Sequence, residues 1–157
     1  MKRNFFLSAI IACFAIHNGF SQEVCLQNAW KAFNSKNYNA AISCCDSCID
    51  EHTRSALRIQ HQLDSLKLIP EIGAVNETQK NNVFRNALLN DVSTACFIRG
   101  RSAELLYKTD KVKNIAFKQV AIDSYKLACK FSKGRAWDSR GWFWSPCEAS
   151  SDRLPIE

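Results

Sequence analysis

The sequence predicts an all-α protein built from antiparallel helical hairpins that stack on one another. Apolar residues recur three and four positions apart through most of the chain, which is the spacing of amphipathic helices. No segment shows a sustained alternation of apolar and polar residues, so we expect no sheet. Two segments, 41–48 and 121–128, share one pattern. Each begins with Ala-Ile, has a packing residue three positions after the Ile, and has a small residue three positions after that. Small residues at this spacing let helices approach closely, which favours stacked hairpins.

The predicted helices follow one another with short connections. They cover residues 23–35, 38–50, 53–68, 78–108 and 112–131. The clearest loop is segment 69–76, where Pro70 and Gly73 end the third helix. We expect the fourth helix to break in two at Asn90-Asp91, where either residue can act as an N-cap. The C-terminal segment is expected to be irregular, with one short helix after Pro146.

The N-terminus has the composition of a secretory signal peptide. A polar, basic start is followed by an almost wholly apolar stretch, residues 5–16, which is too short to span a membrane. We predict cleavage after Ser21, which leaves 136 of the 157 residues as a soluble secreted or periplasmic protein. Lipidation at Cys13 is the alternative, because residues 10–13 resemble a bacterial lipobox. No other segment reaches the length of a membrane span.

The sequence also predicts how the chain is divided and which partners its charge disfavours. We divide the chain into a signal peptide (residues 1–21), a helical domain (residues 22–131) and an aromatic C-terminal cap segment (residues 132–157). Loss of Lys2 and Arg3 with the signal peptide lowers the net charge from +6 to +4. The remaining positive charges form no concentrated stripe, so nucleic acid is not an expected partner.

The small residues also follow a family pattern. One helix of each candidate hairpin carries a small residue, Ala29 or Gly100, and the next helix carries small and aromatic residues at regular offsets. The matching positions are Ala29, Ala32, Tyr38, Ala41, Cys45 and Cys48 in the first unit, and Gly100, Ala103, Ala121, Tyr125 and Ala128 in the second. In this the chain resembles the tetratricopeptide-repeat (TPR) proteins. It departs from them at Cys25 and Cys96, where Trp is usual. A generic helical bundle is the alternative.

The resemblance implies a non-catalytic adaptor that binds a protein or peptide in a groove formed by the first helices. The groove residues it suggests are Trp30, Asn34, Arg99 and Arg101. Carbohydrate binding, or another accessory role at the cell envelope, is a competing function, because tryptophans can stack on sugar rings. The tryptophans concerned are Trp137, Trp142 and Trp144, which can instead close the end of the helical stack. We expect no enzymatic activity and no cofactor, since no catalytic or phosphate-binding motif is present.

Eight cysteines in an exported chain predict disulfide bonds. Seven remain after removal of the signal peptide, so at least one has no partner within the chain. The candidates are Cys25, Cys44, Cys45, Cys48, Cys96, Cys129 and Cys147. The alignment with the repeat family implies one bond in each hairpin, Cys25 with Cys45 or Cys48, and Cys96 with Cys129. Cys147 is then expected to pair with Cys44.

A soft-metal site is the alternative use of the same cysteines. Cys44, Cys48 and His52 are spaced four apart, which places them on one face of a helix. Cys45 and Cys48 also form a C-x-x-C pair. Thiolate and imidazole ligands suit copper(I) or zinc, so this stripe suggests a thiol- or metal-handling protein as a further possibility.

Overall fold

The computed structural model describes residues 18–156, with side chains from Leu26 onward. Most of the predicted signal peptide, with the alternative lipidation site Cys13, lies outside the described residues, as does the side chain of Cys25. The chain folds mainly into helices that pack against one another, which confirms the helical prediction. The elements are α1 (Asn18–Asn34), α2 (Tyr38–Ser65), β1 (Gly73–Ala74), α3 (Glu77–Phe84), α4 (Ala87–Thr109), α5 (Ile115–Lys130), β2 (Ala136–Asp138), β3 (Trp142–Trp144) and α6 (Pro146–Ser151).

The prediction of two helices between residues 38 and 68 was wrong. α2 is one continuous helix of 28 residues. Cys48, His52 and Ala56 are all buried and lie four residues apart, so a single buried stripe runs through the expected break. No Gly or Pro interrupts this segment. Continuity of the buried face therefore keeps the helix intact.

The break in the following helix also lies earlier than predicted. α3 ends at Phe84 and α4 begins at Ala87, whereas Asn90 is buried inside α4. The side-chain amide of Asn90 donates to the carbonyl oxygen of Val83 (2.9 Å), and its oxygen accepts from the backbone N–H of Arg135 (2.9 Å). Asn90 thus joins α3 and the segment after α5 to α4, and does not cap a helix.

The prediction of no sheet was wrong as well. A three-stranded antiparallel sheet has the order β1-β3-β2, with Phe143 opposite Gly73 on one side and Trp137 on the other. Gly141, with φ +101°, lies in the turn between β2 and β3. Strands of two or three residues are too short to show an alternating pattern. The pairing of β1 with β3 also joins distant parts of the chain.

α4 forms the centre of the fold and packs against α1, α2, α5 and α6. It contributes buried residues to three apolar clusters. The first joins it to α2 and the end of α5, the second to α1 and α2, and the third to α5 and to Ile156, near the end of the chain. The alanines at the helix contacts are fully buried: Ala29, Ala41, Ala95, Ala103, Ala121 and Ala128. The helices therefore meet at small side chains, as the spacing predicted.

Candidate functional site

An apolar groove lies between the C-terminal end of α2, the loop that follows it, and α3. We call it the α2–α3 groove; its volume is about 560 Å³. Its apolar wall includes Leu63 and Val83, and the exposed Leu66, Leu68 and Ile69. Ile69 is 72% exposed. Large apolar side chains gathered in one exposed groove are typical of a binding surface.

The end of α2 sets the shape of this groove. The backbone N–H of Leu68 bonds to the carbonyl of Leu63 (2.9 Å), and that of Lys67 to the carbonyl of Asp64 (3.0 Å). These two bonds form a Schellman motif, in which Lys67 takes the left-handed conformation (φ +53°). The motif turns the chain sharply, so that Leu63 and Leu68 line the same groove.

The left-handed lysine leads to a stability prediction. Because a side chain disfavours this conformation and glycine does not, Lys67→Gly should stabilise the fold by about 0.5–1 kcal/mol. Urea unfolding measures the change. Lys67→Ala is the control, since it removes the charged side chain but keeps a Cβ in the same conformation. An equal gain in both variants would attribute the effect to the lysine side chain and contradict the backbone argument.

The polar part of the lining of the α2–α3 groove is mainly uncharged. Gln62, Gln79, Asn82 and Asn86 contribute side-chain amides, and Glu71 and Arg85 are the charged residues of the lining. Gln79 also belongs to the capping box at the start of α3, where it exchanges hydrogen bonds with Asn76. Amide groups both donate and accept hydrogen bonds, which is the pattern a peptide backbone needs.

A smaller aromatic cleft of about 290 Å³ adjoins the C-terminal end of α3, at Phe84. Trp30 of α1, Phe84 of α3 and Trp137 of β2 line it, together with Asp91 and other polar residues of α4. The Trp137 ring packs against Phe84 and Phe143, with centroids 5.8 and 4.7 Å away. The fold thus brings Trp30 and Trp137, which the sequence suggested for two different functions, to one cleft.

The other suggested binding residues lie elsewhere. Arg99 donates to the carboxylate of Asp46 (2.5 Å) and the hydroxyl of Ser124 (2.8 Å). Arg101 pairs with Glu104 (2.7 Å). These arginines therefore make bonds within the fold. Asn34 is exposed at the end of α1.

The two remaining tryptophans have different surroundings. Trp142 is 36% exposed and lies 5.6 Å from the guanidinium of Arg140. Trp144 packs edge-on against Phe97, with centroids 5.0 Å apart. Neither residue lines the aromatic cleft.

The pairs predicted for Cys96 with Cys129 and for Cys44 with Cys147 are not seen, whereas the pairing predicted for Cys25 involves a side chain outside the described ones. Among the six cysteines whose side chains are described, no two lie at disulfide-bonding distance. Cys129 contacts Cys147, because α6 folds back onto α5, and this contact replaces the predicted pairing of Cys96 with Cys129. Cys44 packs near α1, so its predicted pairing with Cys147 is not seen either.

Burial, with Cys48 nearby, raises the pKa of Cys96 well above its usual range.

The stripe suggested for metal binding is divided between surface and core. Cys48 and His52 are buried along α2, whereas Cys44 is half-buried. In residues 26–156 no three His, Cys, Asp or Glu side chains form a group that could hold a metal ion. The structure therefore offers no geometric support for this alternative.

The α2–α3 groove was not predicted from the sequence. Its signal was the segment 66–69, Leu-Lys-Leu-Ile, in which three large apolar residues stand directly before the Pro70 that was predicted to end a helix. Apolar residues at the end of a helix and in the following loop lie beyond the buried face of that helix, so the helix itself does not cover them. They either fold into the core or remain on the surface, and here Leu66, Leu68 and Ile69 remain on the surface.

Helices long and apolar enough to cross a bilayer do not occur within residues 18–156. Comparisons with protein-family models, with curated proteins and with solved structures gave no match.

Proposed function

We propose that this protein is a non-catalytic, exported interaction module that binds a segment of another protein in the α2–α3 groove. The observation that carries the proposal is the exposure of Leu66, Leu68 and Ile69 in a single groove. Burial of these side chains by a partner would remove a large apolar surface from water, which is the main driving force of protein association.

The chemistry of the groove favours a protein segment with large apolar side chains as its occupant. The apolar wall suits such side chains, and the amides of the lining suit the backbone that carries them. The lining has one acidic residue, Glu71, and one basic residue, Arg85, so the groove does not select a strongly charged partner. A nucleic acid is not the occupant we propose, because its binding requires a cluster of basic side chains and Arg85 is the basic residue of the lining.

Stacked TPR-like hairpins are the architecture we propose for the module. α4 packs against both α1 and α2, and then pairs with α5, which agrees with a second hairpin stacked on the first. The proposed binding site differs from the one that the resemblance implied, since Arg99 and Arg101 are bonded within the fold. The signal-like N-terminus and the many cysteines support export.

A displayed library of random dodecapeptides tests the proposed function. We expect selection of peptides with two or more large apolar residues, and a loss of affinity of about tenfold or more for Ile69→Asp. The charge would be introduced at an exposed position, so the fold should be retained. Val112→Asp is the matched control, because Val112 is also apolar and 85% exposed but lies outside the groove. Selected peptides that bind Ile69→Asp as tightly as the wild type would contradict the proposal.

Carbohydrate binding is a second candidate, because Trp30 and Trp137 line one cleft with polar neighbours. Retention on insoluble cell-wall polysaccharide measures it. Trp137→Ala should reduce retention, whereas Trp142→Ala, outside the cleft, should not. Equal retention of both variants would count against a sugar site at the aromatic cleft.

A further inference from the structure

Cys129 and Cys147 lie next to each other at the contact between α5 and α6, although their sulfurs are not at disulfide-bonding distance. The Sγ atom of Cys129 lies 3.3 Å from the carbonyl oxygen of Cys147, and the Sγ atom of Cys147 lies 3.8 Å from the carbonyl oxygen of Cys129. The Cys129 thiol also contacts the hydroxyl of Ser151 (3.2 Å). Each sulfur is thus next to the backbone of the other cysteine. A disulfide requires this proximity, since it joins residues whose Cα atoms are only about 4.4–6.8 Å apart.

The environment of this pair suits a structural bond and not a reactive dithiol. Burial and the hydrogen bond with Cys129 raise the pKa of Cys147 to about 12. When a disulfide is reduced, one of its sulfurs leaves as a thiolate, and a thiol with so high a pKa leaves slowly. A bond formed here would consequently be exchanged slowly.

We propose that Cys129 and Cys147 form a disulfide bond that fastens α6 and the β2–β3 strands to the end of α5. Oxidation removes one proton and one electron from each thiol and joins the two sulfurs. The electron acceptor is a second disulfide, oxidised glutathione or that of a thiol oxidase, which is reduced to two thiols through a mixed disulfide. In the cell this step relies on the proposed export for its oxidising compartment.

The bond would close a loop that carries much of the C-terminal packing. Between the two cysteines lie Arg135 and Phe143, both buried. The Arg135 guanidinium donates to the carbonyl oxygens of Pro70, Ser132 and Gly134, and Phe143 packs against Phe84. Closure of this loop restricts the unfolded chain, which is the main route by which a disulfide stabilises a fold.

Peptide mapping of the purified chain tests the pairing. The protein is oxidised with glutathione, alkylated with iodoacetamide and digested with trypsin. We expect residues 127–130 linked to residues 141–153, each fragment holding one cysteine of the pair. Linkage of residues 127–130 to the Cys96 fragment, residues 86–99, would overturn the proposal. Alkylation of both Cys129 and Cys147 after oxidation would overturn it equally.

Thermal unfolding tests the stabilising role. Reduction should lower the melting temperature of the wild type by about 10 °C more than that of the double variant Cys129→Ser/Cys147→Ser. An equal fall in both proteins would show that the pair adds no stability and would overturn this role. Ile69→Asp should retain the linked peptide, so failure of the proposed binding function and failure of the disulfide can be told apart.

Discussion

Glu104→Gln is expected to destabilise the fold by about 3 kcal/mol. Glu104 is only 4% exposed, yet its carboxylate is surrounded by donors. Arg101 and Lys108 each approach to 2.7 Å and the Tyr125 hydroxyl to 2.5 Å, with Arg153 at 3.8 Å. A neutral amide would leave the largely buried Arg101 guanidinium without a balancing charge, and it would weaken the bond to the half-exposed Lys108.

The same carboxylate predicts how stability depends on pH. Burial alone would raise the pKa of Glu104, but hydrogen bonds from Lys108, Tyr125 and Arg101 outweigh it and hold the pKa at about 2. In the unfolded chain a glutamate titrates at about pH 4.3. Because the folded-state pKa is the lower one, the stabilisation is fully present above about pH 4.3 and is lost as the pH falls towards 2.

Urea unfolding between pH 7 and pH 3 measures both effects. The wild type should lose more stability on acidification than Glu104→Gln does. Asp123→Asn is the control, since Asp123 is exposed on α5 and should contribute within about 0.5 kcal/mol. If Glu104→Gln and the wild type followed the same pH dependence, Glu104 would not be the source of the acid sensitivity.

Gly100→Ala should destabilise the protein by about 3 kcal/mol, although alanine is normally the better helix former by about 1 kcal/mol. A Cβ on Gly100 would lie 2.5 Å from Cε1 of Tyr125. The Tyr125 ring is fully buried and its hydroxyl is bonded to Glu104, so the ring has little freedom to move away. The close contact between α4 and α5 at this point therefore requires glycine.

A double-mutant cycle with Tyr125→Ala isolates this contact. Removal of the ring leaves space for the new methyl group, so the two changes should couple by more than about 1 kcal/mol. Thermal or urea unfolding of the four proteins provides the measurement. A melting temperature that rises in Gly100→Ala would mean that α4 and α5 do not meet at these two residues.

The helical segments could be predicted because their signal is local. The buried face of α5 follows the spacing of Ala121, Tyr125 and Ala128, and the helix is present with nearly the predicted bounds. The positions at which helices end were predicted less accurately than the helical segments themselves. The stop after Phe84 depends on Asn90, whose side chain bonds to Val83 and Arg135, and no neighbour in the chain indicates those bonds.

The sequence by itself determined which segments are helical, and also where some of them must touch, because a small residue such as Gly100 or Ala121 can be recognised from its spacing. Only the tertiary structure decided the sheet, the contact of Cys129 with Cys147, and the gathering of Leu66, Leu68 and Ile69 beside α3. The physical reason is the distance along the chain between the residues that interact. A helix is formed by bonds between residues four apart, whereas these features join segments whose approach depends on how the whole core packs.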